Sequence, residues 1–349
     1  MATKRRYENI LDEYSTKRDL YTEFAARLDG ILADVLLAKG QQYLSIESRS
    51  KTIESLRQKL YFTDYNPISI EKINDLAGVR IITFVYENIS SIEEVLKECF
   101  DVVPIDVDGR LGVDRVGYRS HHWILSLPEA RLTLPEYEKF AGMKAELQIR
   151  TVLQHAWAQI GHNQVYKPSA ILPERIERDF KLLSGVLEVA DNEFSRISNE
   201  IASHQKEVER MTLSGNLDIP VDSVSLRQYF NDKFSISPLI KTTFGPKDDM
   251  AEEIIDELKA MGVDTLEELD KIMPKNFDVL FKRESSFTGL ARLIMILHDS
   301  ELYFSKAWNE KWIMTKDSAD FYASIGIDVK KLFEKYPNLD LGLDESFAA

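Results

Sequence analysis

The segment Met143-Lys-Ala-Glu-Leu-Gln-Ile-Arg150 alternates without a break between apolar and polar residues. In an extended chain Met143, Ala145, Leu147 and Ile149 fall on one side, and Lys144, Glu146, Gln148 and Arg150 on the other. A helix cannot follow that period, so the chain must build a sheet with one buried face and one charged face. Val79-Arg-Ile-Ile-Thr-Phe-Val-Tyr86 is a second strand, rich in β-branched residues. Further strands are expected near 101–107, 118–127 and 143–149.

Around these strands the period changes to 3.6. Residues 7–45 read as helix, from Tyr21, Phe24, Ala25, Leu28, Ile31, Leu32, Val35 and Leu36. Thr52 is an N-cap, with Glu54 in the first turn, for a helix over 52–60. Ser91-Ile-Glu-Glu94 has the form of a capping box opening a helix to about Phe100. Thr151 caps a helix through about Asn163, and 171–212 is again helical. Ser214-Gly-Asn-Leu-Asp-Ile-Pro220 breaks the pattern and marks a domain boundary, giving domains 1–213 and 220–349. The second is expected to be all helical. Its helices read as Ala251–Met261 ended by Gly262, one from Asp264 or Thr265 to Pro274, and Ser286–Leu297, Tyr303–Ile313 and Val329–Tyr336.

The formal net charge of −14 makes the chain a poor general binder of nucleic acid. Residues 220–349 hold 24 acidic and 16 basic residues, which disfavours nucleic-acid binding there in particular. Any handling of phosphates needs positive charge concentrated locally. The single cysteine, Cys99, excludes an internal disulfide and a cysteine-rich metal site. No apolar run approaches the ~18 residues of a membrane span. The basic start is followed by Tyr7-Glu-Asn-Ile-Leu-Asp, unlike a signal peptide, so a cytoplasmic protein that does not enter a membrane is expected.

Local positive charge appears in Ser48-Arg-Ser-Lys-Thr-Ile-Glu-Ser-Leu-Arg-Gln-Lys59. Lys51, Ser55 and Lys59 share a face if the helix starts near Thr52, and Arg49 precedes them. That face is either an anion site or a solvated surface. Asp75, at the entrance to the second strand, is a turn residue or a ligand. Arg80, among Val79, Ile81 and Ile82, needs an anionic partner, either a structural carboxylate or a phosphate. Glu146, with Gln148 and Arg150, belongs to a solvated face or to a site. In Gly117-Tyr-Arg-Ser-His-His122 a loop either swings an aromatic ring onto a flat partner or turns a hairpin. In Gln154-His-Ala-Trp-Ala-Gln-Ile-Gly-His162, His155 and His162 share a helix face with Gln159, which suits hydrogen bonding or stacking better than metal ligation. Trp157 is assigned to the core.

Taken in order, Arg49-Ser-Lys51 with Ser55 and Lys59, Asp75-Leu-Ala-Gly-Val-Arg80, Gly117-Tyr-Arg-Ser120 with His122, Glu146-Leu-Gln-Ile-Arg-Thr151, His155-Ala-Trp157, His162 and Tyr166-Lys167 resemble the synthetase domain of the RelA/SpoT family over about 40–170. That family makes the alarmones ppGpp and pppGpp. The resemblance implies an α/β (α+β) fold, a nucleotidyltransferase-like mixed sheet flanked by helices, here with an added all-α domain. It implies an ATP-dependent pyrophosphokinase that moves the β,γ-pyrophosphate of ATP onto the 3′-OH of GDP or GTP. Arg49, Lys51, Ser55 and Lys59 would hold the ATP phosphates, and Arg80 would contact them or stack on adenine. Asp75 and Glu146 would bind Mg²⁺, with Glu146 also the general base. Tyr118 would stack on the acceptor base, with Arg119, His122, Gln148, Arg150, His155, His162 and Lys167 on the acceptor side.

The sequence departs from the family pattern in three places. Tyr61 and Phe62 stand where many members carry a further arginine. Asp106–Val116 replaces a Lys-Pro-containing run, leaving Arg110 or Arg115 to substitute, and Gly161 stands where glutamate is common. No histidine precedes His121, so the family's metal-dependent hydrolase half is not expected, and synthesis without hydrolysis is. The region 220–349 is expected to regulate, oligomerise or neutralise. A tRNA acceptor, an adenosine nucleotide acceptor, a homo-oligomer and a non-catalytic nucleotide sensor are the alternatives weighed. The presence of both Asp75 and Glu146 favours catalysis over the sensor.

Overall fold

The structure is a computed structural model that describes residues 2–63, 65–105, 120–162, 173–234, 251–275, 277, 287–308, 312–314, 316–336 and 339–341. The chain divides into two compact units, Met1–Asn199 and Glu200–Ala349.

The first unit is built on a five-stranded mixed sheet. Its strands are β1 (Ser45–Ser50), β2 (Ala77–Thr83), β3 (Asp101–Ile105), β4 (His121–Ser126) and β5 (Ala145–Thr151), in the order β1-β2-β5-β4-β3. Only β2 and β5 run parallel; the other neighbours are antiparallel. The alternation expected of β5 is present. Ala145, Leu147, Ile149 and Thr151 are buried, while Glu146, Gln148 and Arg150 are partly exposed. The helices are α1 (Ala2–Ala38), α2 (Ile53–Phe62), α3 (Tyr86–Cys99), the short α4 (Glu129–Leu132), α5 (Val152–Ile160) and α6 (Glu174–Leu213), the last contributing its residues up to Asn199. α1 buries Tyr7, Leu11, Tyr14, Tyr21, Phe24, Leu28, Ile31 and Leu32, in one cluster with Val79 and Ile81 of β2, Ile89 and Ile92 of α3, and Leu147 and Ile149 of β5. The apolar sheet face is thereby used for packing, which leaves the polar face for chemistry.

Several boundaries differ from expectation. α1 stops at Ala38 because Gly40 turns to φ +65°, with Gly40 N–H on Leu37 O and Gln41 N–H on Leu36 O. The residues after it form β1, of which Ser45 fell at the end of the expected helix and the rest within no expected element. α3 starts at Tyr86, five residues before the expected capping box. Ser91 lies inside the helix, its hydroxyl bonded back to Glu87 O, and Asn88 Oδ1 accepts from Val85 N–H at 3.4 Å. The Thr52 cap is as expected, accepting from Ser55 N–H at 3.1 Å. So is Thr151, which forms a reciprocal box with Gln154.

The second unit is helical, as expected. α7 (Ser223–Phe234), α8 (Ala251–Ala260), α9 (Leu266–Ile272), Phe287–Leu302, Lys316–Ser324 and Val329–Lys335 surround Leu226, Phe230, Ile254, Leu258, Leu266, Leu290, Ile294 and Tyr303. α7 and Lys316–Ser324 were not foreseen. Gly262, at φ +78°, follows α8, and Thr265 caps α9. The helix read at Tyr303–Ile313 is instead a wide turn, Tyr303–Ala307, followed by a strand, Trp312–Met314, paired in parallel with Leu339–Leu341. The chain leaves the helix where Trp308 stacks against Tyr303 and beneath the Arg292 guanidinium. Asp299 breaks Phe287–Leu302 and caps the next turn, accepting from Leu302 N–H at 2.9 Å.

Candidate active site

The strand register lays the polar face out in rows. Arg49, Gly78, Glu146 and Ile124 stand opposite one another across β1, β2, β5 and β4. The next row is Glu47, Arg80, Gln148 and His122. Residues 22 to 68 positions apart in sequence are thus fixed side by side by backbone ladders. Above these rows lies a cavity of about 440 Å³, lined by Glu47, Arg49, Lys51, Ser55, Asp75, Arg80, Glu146, Gln148, Gln159 and His162 among others. That is ample room for a nucleotide.

The two carboxylates are held alike. Asp75 Oδ2 accepts from both Lys51 Nζ and Lys59 Nζ at 2.7 Å, while Asp75 Oδ1 is buried with no hydrogen-bond partner. Glu146 Oε1 takes His122 Nδ1 at 2.7 Å and Gln148 Nε2 at 3.3 Å; among the described residues both of its hydrogen bonds land on that oxygen. Each carboxylate therefore commits one oxygen to the protein and keeps the other for a ligand. Burial alone pushes the Asp75 carboxyl up, but Lys51 and Lys59 more than offset it, and the group lies below the usual carboxylate range. Glu146 is likewise held low, because His122 and Gln148 outweigh its burial. Both are ionised at neutral pH.

Five cations, Arg49, Lys51, Lys59, Arg80 and Arg150, meet three carboxylates, Glu47, Asp75 and Glu146. The local excess is positive inside a chain of net charge −14. Arg80 Nη1 donates to Glu47 Oε2 at 3.2 Å, so its strand-borne guanidinium has a carboxylate partner, but Nε is buried without one. Burial, and then the neighbouring Arg80, pull Arg150 down to about 10, and its Nε is also unpartnered. Burial lowers the His155 ring, and Arg80 and Arg150 lower it further against the pull of Glu47, so it is neutral at pH 7. With Gln148 Oε1 and His155 Nδ1, five buried polar atoms without a protein partner among the described residues belong to residues that line the cavity or stand beside its lining. Such atoms are costly unless a ligand or solvent completes them.

The supporting contacts come from the flanking helices. Tyr14, from α1, donates to Lys51 O at 2.6 Å and reaches Leu76 O at 3.4 Å, binding together the two segments that carry Lys51 and Asp75. On the core face of β4, His121 Nδ1 and Trp123 Nε1 both meet Glu93 Oε1 of α3, at 2.7 and 3.1 Å.

Most residues expected from sequence are thus brought together. Arg49, Lys51, Ser55, Asp75, Arg80, Glu146, Gln148 and His162 line the cavity, with Lys59, His122, Arg150 and His155 against those residues. Tyr118, Arg119 and Lys167, with Arg110 and Arg115, lie outside the described residues. Trp157 is only half-buried and stacks on Phe180 at 4.9 Å, so its assignment to the core is corrected to packing against α6. Tyr61 bonds to Glu8 Oε1 and packs edge-on to Tyr7, committing it to α1, while Phe62 is exposed. Glu47 and Tyr14 were missed. Finding Glu47 needed the register of an unforeseen strand, and a tyrosine at a helix-core position gives no sign of where its hydroxyl goes.

Residues 48–170 match the family model described as the region found in RelA / SpoT proteins. The chain is 30% identical over 159 residues to GTP pyrophosphokinase YwaC of Bacillus subtilis (strain 168), a match covering 44% of this chain and 73% of that one. It is 29% identical over 161 residues to GTP pyrophosphokinase YjbM of the same organism, covering 46% and 74%. The crystal structure of the small alarmone synthetase 1 from Bacillus subtilis is 24% identical, covers 55% of this chain and 99% of its own, and superposes with a TM-score of 0.45. The YwaC match covers most of that relative, and on it the chain belongs to the RelA/SpoT family.

Proposed function

We propose that this chain is a (p)ppGpp synthetase, a GTP/GDP pyrophosphokinase that transfers the β,γ-pyrophosphate of ATP to the 3′-OH of GDP or GTP and releases AMP. The observation that carries this reading is the cavity itself. Two half-committed carboxylates stand among a cluster of cations, of which Arg80 and Arg150 each keep a buried Nε without a partner. A polyphosphate supplies the acceptor oxygens those donors need, and relatives named as GTP pyrophosphokinases perform the corresponding reaction.

Arg49, Lys51, Ser55 and Lys59 bind the ATP phosphates, and Arg80 contacts them or stacks on adenine. Gln148, Arg150, His155 and His162, with Tyr118, Arg119 and Lys167, serve the acceptor. The acceptor's 3′ oxygen attacks the β-phosphorus of ATP, and its proton passes to Glu146. The bond from that phosphorus to the α,β-bridging oxygen breaks, and AMP leaves carrying that oxygen. The residues align the two nucleotides and hold the accumulating charge. The Asp75 carboxylate, through its unpartnered Oδ1, and the Glu146 carboxylate would hold Mg²⁺, for which hard oxygen donors are the fitting ligands. When bound, it neutralises charge on the phosphates. Residues 1–213 form the synthetase domain, and 220–349 a regulatory or interaction domain, in a cytoplasmic protein.

Incubating the protein with ATP labelled at the β-phosphate, and with GDP, GTP, AMP or tRNA in turn, tests the proposal. Label should appear on GDP or GTP, and excess chelator should stop its transfer. Label on tRNA or AMP alone would replace the alarmone reading. Label on no acceptor would leave a nucleotide sensor.

A further inference from the structure

Two residues beside the base have a geometry that the reaction above does not use. Ser120 Oγ is bonded to His122 Nε2, and His122 Nδ1 to Glu146 Oε1 at 2.7 Å. An ionised carboxylate can only accept, so the proton of this second bond lies on Nδ1. In a neutral imidazole Nε2 is then the acceptor, and the Ser120 hydroxyl must donate to it. Ser120 thereby completes the ring that presents Nδ1–H to Glu146, and that bond ties down Oε1. Gln148 adds its donor to the same Oε1, leaving Oε2 to the cavity that Glu146 lines.

The strand that carries His122 is itself secured. His121, one residue earlier, points to the opposite face, where Glu93 holds it at 2.7 Å and Tyr86 Oη meets its other ring nitrogen at 3.0 Å. β4 cannot slide without breaking those contacts, and the register sets His122 opposite Gln148. His122 is largely buried, its side chain 15% exposed, and both ring nitrogens are engaged by protein.

We infer that Ser120 and His122 are positioning residues for the base, a Ser–His–Glu chain that orients the Glu146 carboxylate so that Oε2 receives the acceptor proton. This rests on the pyrophosphoryl-transfer reading, and it gives His122 a role different from the acceptor contact that family resemblance implies. Like other residues that act through a functional group they orient, they govern turnover more than binding.

The test is steady-state kinetics of the full chain with ATP and GDP, comparing His122→Ala, His122→Asn and Ser120→Ala with the unaltered protein, each checked for folding by thermal unfolding. His122→Ala should lower kcat by about 10- to 100-fold with KM for GDP within about twofold. Asn can place an amide N–H where Nδ1–H lies, so His122→Asn should recover most of that loss. Ser120→Ala, which removes the hydrogen bond on Nε2, should fall between. A folded His122→Ala that keeps its turnover overturns the inference alone, as does one that keeps kcat while KM for GDP rises, or a folded His122→Asn no better than Ala. No transfer by the unaltered protein to any acceptor overturns the reaction and the inference with it.

Discussion

Tyr14→Phe isolates one hydroxyl whose only visible task is to tie two catalytic segments together. The ring sits in the α1 core and Phe fills the same space, so the change removes a donor and little else. The oxygen lies 2.6 Å from Lys51 O and 3.4 Å from Leu76 O, so the first contact carries most of the energy. Neither carbonyl is orphaned by the loss. Arg18 Nε still approaches Lys51 O at 3.4 Å, and Lys51 N–H still bonds Leu76 O at 2.9 Å. The cost is therefore that of one net hydrogen bond with little desolvation penalty, about 1–1.5 kcal/mol. For a folding unit of this size that corresponds to a fall in Tm of about 2–6 °C. The hydroxyl must be protonated to donate, and burial pushes its pKa up to about 12, so the bond is intact across the physiological range. Because the native value is raised, this contribution is complete below the ordinary tyrosine pKa of ~10 and disappears as pH climbs through 12. Calorimetry at pH 7 measures the shift, and kinetics should show KM for ATP rising while KM for GDP holds. A Tm within about 1 °C of the unaltered protein would refute the reasoning, because a loss that small leaves no net hydrogen bond.

Glu146→Gln should lower kcat by about 10²–10⁴ with both KM values little changed; a folded variant at full turnover would remove Glu146 from the reaction. Asp75→Asn should destabilise the protein most near neutral pH. The Asp75 value is depressed, so its stabilisation is present above the ordinary aspartate pKa and is lost as pH falls through the native one. The difference in unfolding temperature from the unaltered protein should thus narrow below about pH 4, and a constant difference would contradict the double lysine contact. In the second unit, Glu257 accepts both Arg292 and the buried Tyr303 hydroxyl. Glu257→Gln leaves that guanidinium without its buried countercharge and should cost about 3 kcal/mol in urea unfolding, whereas a loss under about 1 kcal/mol would mean that Glu253 compensates.

The β5 strand was readable because burial on one face forces alternation, and the caps at Thr52 and Thr151 because a hydroxyl before an apolar run has a specific job there. β1 was not. Ser45-Ile-Glu-Ser-Arg-Ser50 offers one aliphatic residue, and its extended conformation comes from pairing with β2 rather than from its own side chains. The start of α3 was misplaced for a related reason. Val85 cannot cap with its side chain, so the true N-terminus lacks the usual mark, while Ser91 and Glu94 imitate one from inside the helix. At the site, residue identities were legible and pairings were not. Sequence could say that Arg80 needs an anion, but only the register supplies Glu47. It could bring Lys51 and Lys59 to one side of α2, but not show both closing on a single oxygen of Asp75.

β1 lies at the margin of the sheet, with a ladder on one side only, whereas β5 is paired on both. The cavity therefore has a stiff floor and a more compliant wall. Glu146, Gln148 and Arg150 stand on the strand whose displacement would break two ladders; Glu47 and Arg49 stand on one that can shift by breaking a single ladder. Proton abstraction tolerates little error in position, while gripping a polyphosphate through long cationic side chains tolerates more. On the proposed reaction, the fold puts its rigidity under the base and its give under Arg49.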